Sequence, residues 1–320
     1  MKSFKTNKLK KLITALCIVI LVTLIVLSII EIPSKAITSQ VYTMEYTGQF
    51  IDIGNIKSFY IDTLNVSDPV ILLVHGFGGS VYSWRENIKS LYEAGFRVLA
   101  IDLKGFGLSS KAYNEDYSHK SQAEYLYKFL QQIGVKKVNI VGHSMGANIA
   151  TIFAMEYPNN VQSLVIVDGA IVQEDATTLP FLFDIKPIRN IFKLTVQNVL
   201  NKENFSEFLK SAYVNQSVIS NSVIDNYYIP LQTNNWEDAL MGISRDGYKN
   251  KIPKSFESLK IPVLIVWGKN DPWINIEKGI NLNQEIINSK FIVIDGSGHL
   301  PMEEKPKEFN QTLLDFLGII

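Results

Sequence analysis

Between residues 70 and 294 the sequence repeats one pattern, a short run of Val, Ile and Leu followed by an amphipathic stretch. The apolar runs fall at 70–74, 98–101, 138–141, 164–167, 263–267 and 291–294, with amphipathic segments at 84–94, 121–133, 145–157 and 276–287. A strand with no polar alternation has no face to offer water, so it must be covered on both sides. Strand alternating with helix achieves this through right-handed crossovers. The expected fold class is therefore α/β, a mostly parallel, doubly wound sheet. Upstream, alternation in 41–53 and 56–64 predicts an antiparallel hairpin at one edge. Residues 171–260 break the rhythm, because two strands that should be neighbours are separated by a stretch too long for a bare loop. Its helical runs at 188–200, 206–212 and 236–244 predict a helical cap, inserted over the C-terminal edge of the sheet where open α/β folds bind ligands.

The N-terminus has a different character. Lys2, Lys5, Lys8, Lys10 and Lys11 precede residues 12–30, which carry no charge and are mostly Leu, Ile and Val. Such a helix is roughly 28 Å long, close to the thickness of bilayer hydrocarbon. The expected organisation is a cytoplasmic basic segment (1–11), a transmembrane helix (12–30), a spacer (31–40) and an extracytoplasmic body (41–320), oriented by the lysines. A cleaved signal peptide is the competing reading, with Ser34-Lys35-Ala36 as a weak processing site. Without its N-terminal lysines the chain is mildly acidic, which argues against nucleic acid as a partner. The one cysteine, Cys17, lies in the apolar segment, so the body can form neither a disulfide nor a thiolate metal site. The sequons at Asn65, Asn204, Asn215 and Asn310 are expected by chance in so Asn-rich a chain.

Chemistry concentrates in four segments. Gly142-His143-Ser144-Met145-Gly146 follows a buried strand and opens a helix. A sharp turn there exposes Ser144 at a helix N-terminus, where free N–H groups favour developing negative charge. A serine hydroxyl needs a base, and His299, in the loop Gly296-Ser297-Gly298-His299-Leu300-Pro301, is the best placed of the four histidines. His75 is expected to be a structural donor, His143 a packing or pocket-lining residue and His119 a surface residue. Asp271, in Trp267-Gly268-Lys269-Asn270-Asp271-Pro272, would orient the imidazole; Asp168, at the end of the preceding strand, is the alternative. Asp102 is expected to organise a turn. The backbone N–H groups of Met145 and Phe77, the latter in His75-Gly76-Phe77-Gly78-Gly79-Ser80, are the candidate oxyanion donors. That loop lacks the Gly-Lys-Ser/Thr of a phosphate cradle, and nothing in the chain calls for a cofactor or a metal.

These segments resemble the α/β-hydrolase superfamily over residues 41–320. They are most similar to its capped branch of carboxylesterases, cofactor-free haloperoxidase-like esterases and carbon–carbon bond hydrolases. The stretch Gly298-His299-Leu300-Pro301-Met302-Glu303-Glu304-Lys305-Pro306 is similar to that branch's histidine loop almost residue for residue. Ser144 departs from haloalkane dehalogenases and epoxide hydrolases, which carry aspartate at the elbow. The resemblance implies hydrolysis of a carboxylic ester through an acyl-serine. Cap aromatics point to an apolar or lipid-like substrate, with Trp236, Tyr213 and Arg189 as candidate binding residues. Carbon–carbon cleavage of a diketone acid, with Arg189 or Arg245 taking its carboxylate, is a second reading. A low-turnover receptor on the same fold is a third.

Overall fold

The computed structural model describes residues 2–34, 41–64, 69–174 and 180–318. One sheet contains β1 (Gln49–Ile53), β2 (Ile56–Asp62), β3 (Val70–Val74), β4 (Arg97–Ile101), β5 (Val138–His143), β6 (Val161–Val167), β7 (Val263–Gly268) and β8 (Ser289–Ile294). Their order across it is β1-β2-β4-β3-β5-β6-β7-β8. The β1–β2 and β2–β4 pairs are antiparallel and all others parallel. The chain reverses its direction of travel across the sheet between β3 and β5, which makes their C-terminal ends the natural site for a crevice.

The strands carry continuous apolar runs because each feeds two cores. Along β3, Val70, Leu72 and Val74 join one cluster, while Ile71 and Leu73 join the other. On the first face lie α3 (His119–Gln132), α4 (Met145–Glu156) and α9 (Glu277–Glu285). On the second lie α2 (Ile88–Glu93) and α11 (Pro306–Phe316), with α10 (Pro301–Glu304) just before it. Two expectations need correction. β8 is not buried on both faces: it is the edge strand, and Ile292 and Val293 stay more than a third exposed. The hairpin's first arm begins at Gln49 rather than 41, because Tyr42 packs edge-on against Phe59 (5.7 Å) and Thr43 N–H donates to Asn226 Oδ1 (2.6 Å). The apolar alternation of 41–48 thus serves packing beyond the sheet.

Among the described residues four α-helices lie between β6 and β7: α5 (Lys186–Val199), α6 (Lys202–Lys210), α7 (Asn221–Tyr228) and α8 (Trp236–Asp246). Phe205, Tyr227 and Trp236 from these helices close a cavity against Phe77 and Phe106, from the loops after β3 and β4. The helical insertion therefore sits over the C-terminal edge of the sheet. At the other end of the chain, α1 (Lys2–Ile29) is one unbroken helix, apolar from Leu12 to Ile29, and Leu27 alone in that span is buried. Its Thr23 and Ser28 hydroxyls donate to the carbonyls of Val19 (2.8 Å) and Leu24 (2.7 Å), so these two groups are satisfied within the helix. Spacer residues 35–40, including Lys35 and Ala36 of the candidate processing site, and the sequon residue Asn65 lie outside the described residues.

Candidate active site

The aligned strand ends deliver every candidate residue to one edge. His143 of β5 pairs with Val167 of β6, and Gly268 of β7 pairs with Ile294 of β8. Ser144, Asp168, Asp271 and His299 emerge just beyond these positions. Ser144 has φ +51° and ψ −119°, a backbone state that is costly for any residue with a Cβ and needs support from its surroundings. Its N–H donates to Val167 O (2.9 Å) and its carbonyl accepts from Ala147 N (3.0 Å) and Ala170 N (3.1 Å). The flanking glycines are steric necessities. A Cβ on Gly142 would lie 2.4 Å from Gly146 O, and one on Gly146 would lie 2.4 Å from His75 O.

Three of the four histidines are committed elsewhere. His75 donates from Nδ1 to Gly76 O (2.8 Å) and accepts at Nε2 from Leu103 N (3.1 Å). His143 donates from Nε2 to His299 O (2.7 Å). His119 is buried, not at the surface as expected, and accepts from Asn148 Nδ2 (2.6 Å). It caps the first core because Asn148 bridges α3, α4 and Asn250 O (2.7 Å). Burial lowers the pKa of all three, to about 4 for His75 and His119 and about 3 for His143. They are neutral and fixed, which leaves His299.

His299 Nδ1 meets Asp271 Oδ2 at 2.8 Å, and both side chains are essentially inaccessible to water. Asp271 Oδ1 accepts from Trp273 N (2.7 Å) and Ile274 N (3.0 Å). Burial opposes the charge on Asp271, but His299 and the two N–H groups prevail and hold the carboxyl below its usual range. Asp168 behaves in the opposite way. It is fully buried, its Oδ1 accepts from Gly268 N (2.9 Å), and its Oδ2 has no partner. Burial first, and the nearby Asp271 charge second, push its pKa well up. Burial and charge therefore favour the ionised form of Asp271 and the protonated form of Asp168. His299 Nε2 is buried without a hydrogen-bond partner, which is rare for so polar an atom and marks it as open to an incoming group.

The loop after β3 runs directly over Ser144. A Cβ on Gly76 would stand 3.0 Å from Ser144 Cβ, so the residue before Phe77 packs against the serine. Met145 is the first residue of α4, and the first N–H groups of a helix have no partner within it. Of the expected binding residues, Trp236 lines the cavity, of about 290 Å³, together with Phe106, Phe205, Phe208, Leu231 and Leu240. A smaller space of about 30 Å³ shares Phe77, Phe205, Phe208 and Tyr227 with it and reaches His299. Tyr213 does not face either space: it is buried and donates to Glu303 Oε2 (2.8 Å). Arg189 stacks over Tyr113 (4.6 Å), and Arg245 is held by Asp246 Oδ2 (2.8 Å) and Glu115 O (2.6 Å). The cation on the cavity wall is Lys111, whose Nζ donates to Gly107 O (2.6 Å) and Ser109 O (3.1 Å). Asp102 organises the turn as expected, accepting from Val81 N (2.7 Å) and Leu108 N (2.7 Å).

Two carboxylates with no expected role join the His299 loop to the cap. Glu304 accepts from Gly298 N (2.6 Å), Val214 N (2.9 Å) and Asn215 N (2.8 Å). Next to it, His299 N–H donates to Ala212 O (2.9 Å). Glu303 binds Arg85 (2.7 Å), Tyr213 and Tyr227. The adjoining Glu-Glu after Pro301 was visible in the sequence, but its partners lie some ninety positions away in the cap. Glu304→Ala strands three N–H groups and is expected to lower unfolding free energy by roughly 3 kcal/mol or more, read as a lower urea midpoint. Glu304→Gln, which keeps one acceptor, should lose less. A loss under about 0.5 kcal/mol for alanine would mean that the clamp carries no strain-free bonds worth their burial.

A family model for the alpha/beta hydrolase fold matches residues 69–306. The 2-hydroxy-6-oxononadienedioate/2-hydroxy-6-oxononatrienedioate hydrolase of Klebsiella pneumoniae is 27% identical over 294 residues, 87% of this chain and 98% of that protein. A solved structure from Acinetobacter baumannii AYE, provisionally described as a lipase (lip1), is 26% identical with a TM-score of 0.71, covering 85% of this chain and 91% of that one. A bacterial membrane phospholipase A is 23% identical with a TM-score of 0.70, covering 99% of this chain and 98% of that one. The last is a likeness of fold alone, and its span takes in the N-terminal helix.

Proposed function

The chain belongs to the α/β-hydrolase fold family, and from that premise we propose that it hydrolyses a carboxylic ester with an apolar acyl group, through an acyl-Ser144 intermediate. The observation that carries this reading is the His299–Asp271 pair with a buried, unpartnered Nε2 on its far side. In this mechanism Ser144 Oγ attacks the ester carbonyl carbon while His299 Nε2 takes the hydroxyl proton. Asp271 holds the other ring nitrogen as N–H and stabilises the imidazolium. The N–H groups of Met145 and Phe77 receive the carbonyl oxygen as it becomes negative. The tetrahedral intermediate collapses, and His299 returns its proton to the departing alcohol. Water then repeats the sequence on the acyl-serine, with His299 as base, and releases the acid and free Ser144.

Cavity chemistry favours the ester over the diketone acid. Its walls are aromatic and aliphatic, and Lys111 already spends donors on two backbone carbonyls. The oxo-dicarboxylate named for the Klebsiella relative would need cationic partners, and neither Arg189 nor Arg245 reaches the cavity. A panel of p-nitrophenyl esters tests the reading. Each added methylene that enters the cavity contributes about 0.8 kcal/mol, so kcat/KM should climb roughly fourfold per CH2 from acetate upward and then level. Flat dependence on chain length, or faster turnover of a diketone acid, would reverse the assignment.

The N-terminal helix is read in the same proposal as a membrane span retained in the mature chain, with its lysines on the cytoplasmic side. Its last turn is built into the cap. Asn190 donates to Leu27 O (2.7 Å) and Ile30 O (3.0 Å), and Lys186 pairs with Glu31 (2.6 Å). A segment destined for removal would have no use for such a seat.

A further inference from the structure

α5 has an outer face that nothing among the described residues fully covers. Ile185 just before it, and Ile191, Leu194 and Val199 along it, are each 40–52% exposed. At about 100° per residue they spread over one half of the helix circumference. The polar residues between them hide their polar atoms: Thr195 Oγ1 donates to Ile191 O (2.8 Å) and Asn198 Nδ2 to Leu194 O (2.6 Å). Thr23 and Ser28 do the same in α1. The three cations of α5 turn the other way. Lys186 meets Glu31, Arg189 covers Tyr113, and Lys193 meets Asp238 (2.7 Å). The outer face therefore carries no charge and few free hydrogen-bonding groups.

Its position follows from α1. The apolar span Leu12–Ile29 is about 27 Å long, so it fills the hydrocarbon and ends at its boundary. Asn190, in the second turn of α5, is buried against that end through Leu27 O and Ile30 O, and Gln197 donates to Pro33 O (3.0 Å) about two turns later. A helix fixed there, apolar outward and charged inward, has the build of one lying in the headgroup boundary. Leu200, the residue after α5, and Trp236 and Leu240 of α8 are walls of the substrate cavity.

We propose that α5 is an interfacial helix whose uncharged face rests in the bilayer crossed by α1, and that the cavity beside it takes its acyl ester from that bilayer rather than from solution. The proposal rests on α1 spanning the membrane and on the esterase reading of Ser144, and it adds the partner surface and the source of the substrate.

The test uses the full chain with Cys17→Ser, reconstituted in phosphatidylcholine vesicles. A single cysteine is placed by Leu194→Cys or, as a control on α3, by Lys128→Cys, and carries an environment-sensitive fluorophore. Nitroxide on the acyl chains of the vesicle lipid should quench the Leu194 probe at least threefold more than the Lys128 probe. Equal quenching overturns the proposal. So does a Leu194 probe that is shielded from water, unquenched by lipid and self-quenched between chains, which would make the face a contact between two copies. In a second arm, Ile191→Glu with Leu194→Glu should lower the ratio of vesicle-borne to soluble ester turnover at least tenfold, and an unchanged ratio overturns the route from the bilayer. If the unsubstituted chain turns over neither ester, the esterase reading and the substrate route fall together. The quenching result still decides the seat of α5.

Discussion

Ser144→Ala is expected to lower kcat on a medium-chain ester by roughly 10⁶-fold, with KM little changed. Neither the thiol nor the other imidazoles replace it: Cys17 is in α1, and His75, His119 and His143 are neutral and tied to fixed partners. The folded state should survive, because alanine meets the same positive φ as serine and the bonds that support the turn are made by the backbone. What remains should be the catalysis of the oxyanion donors and binding alone, roughly 10³–10⁴ above water. A well-folded Ser144→Ala protein with more than about 1% of the starting rate would place the nucleophile elsewhere.

Asp271→Asn is expected to cost about four orders of magnitude in kcat while substrate binding persists, because an amide no longer fixes His299 with its proton on Nδ1. Asp168→Asn should cost far less, within about tenfold. Burial and the Asp271 charge already favour the protonated form of Asp168, and an amide is close in shape and charge to a protonated acid. The same contrast applies to stability. The lowered pKa of Asp271 contributes stability above the ordinary carboxylate range, lost as pH falls through its folded value. The raised pKa of Asp168 makes the opposite contribution, favouring the folded state toward low pH. Asp271→Asn should therefore flatten the acid limb of the stability profile. The reverse pattern of rates, with Asp168→Asn the severe change, would transfer the orienting role to Asp168.

Strand positions were legible because burial on two faces leaves a local mark, an unbroken apolar run. β3 matches its expected residues, and β4 to β7 extend theirs by one to three at an end. β8 carried the same mark yet lies at an edge, since composition along one strand does not reveal whether a neighbour follows. The placement of Ser144, Asp271 and His299 at the strand ends could be read from local motifs, each a short segment after a strand. The cap could not be read to the same depth. Trp236 and Tyr213 are both aromatic residues in a helical insertion, and their fates differ through contacts distant in sequence: Tyr213 is drawn inward by Glu303, while Trp236 meets the loop after β4. His119 was misplaced for the same reason, its partner Asn148 being on another helix. Glu304 lay within a recognisable motif, but its function as a clamp depends on the backbone of 214 and 215, which sequence does not bring near it.

The central claim is that Ser144 is an activated nucleophile, and covalent capture tests it most directly. A fluorophosphonate probe reacts with an activated serine as an ester does, at phosphorus instead of carbon. Incubated with the full chain and mapped by peptide mass spectrometry, it should add one group per chain, on the peptide bearing Ser144, and leave Ser144→Ala unmodified. An adduct on another residue, or equal labelling of the Ser144→Ala protein, would contradict the account at its root.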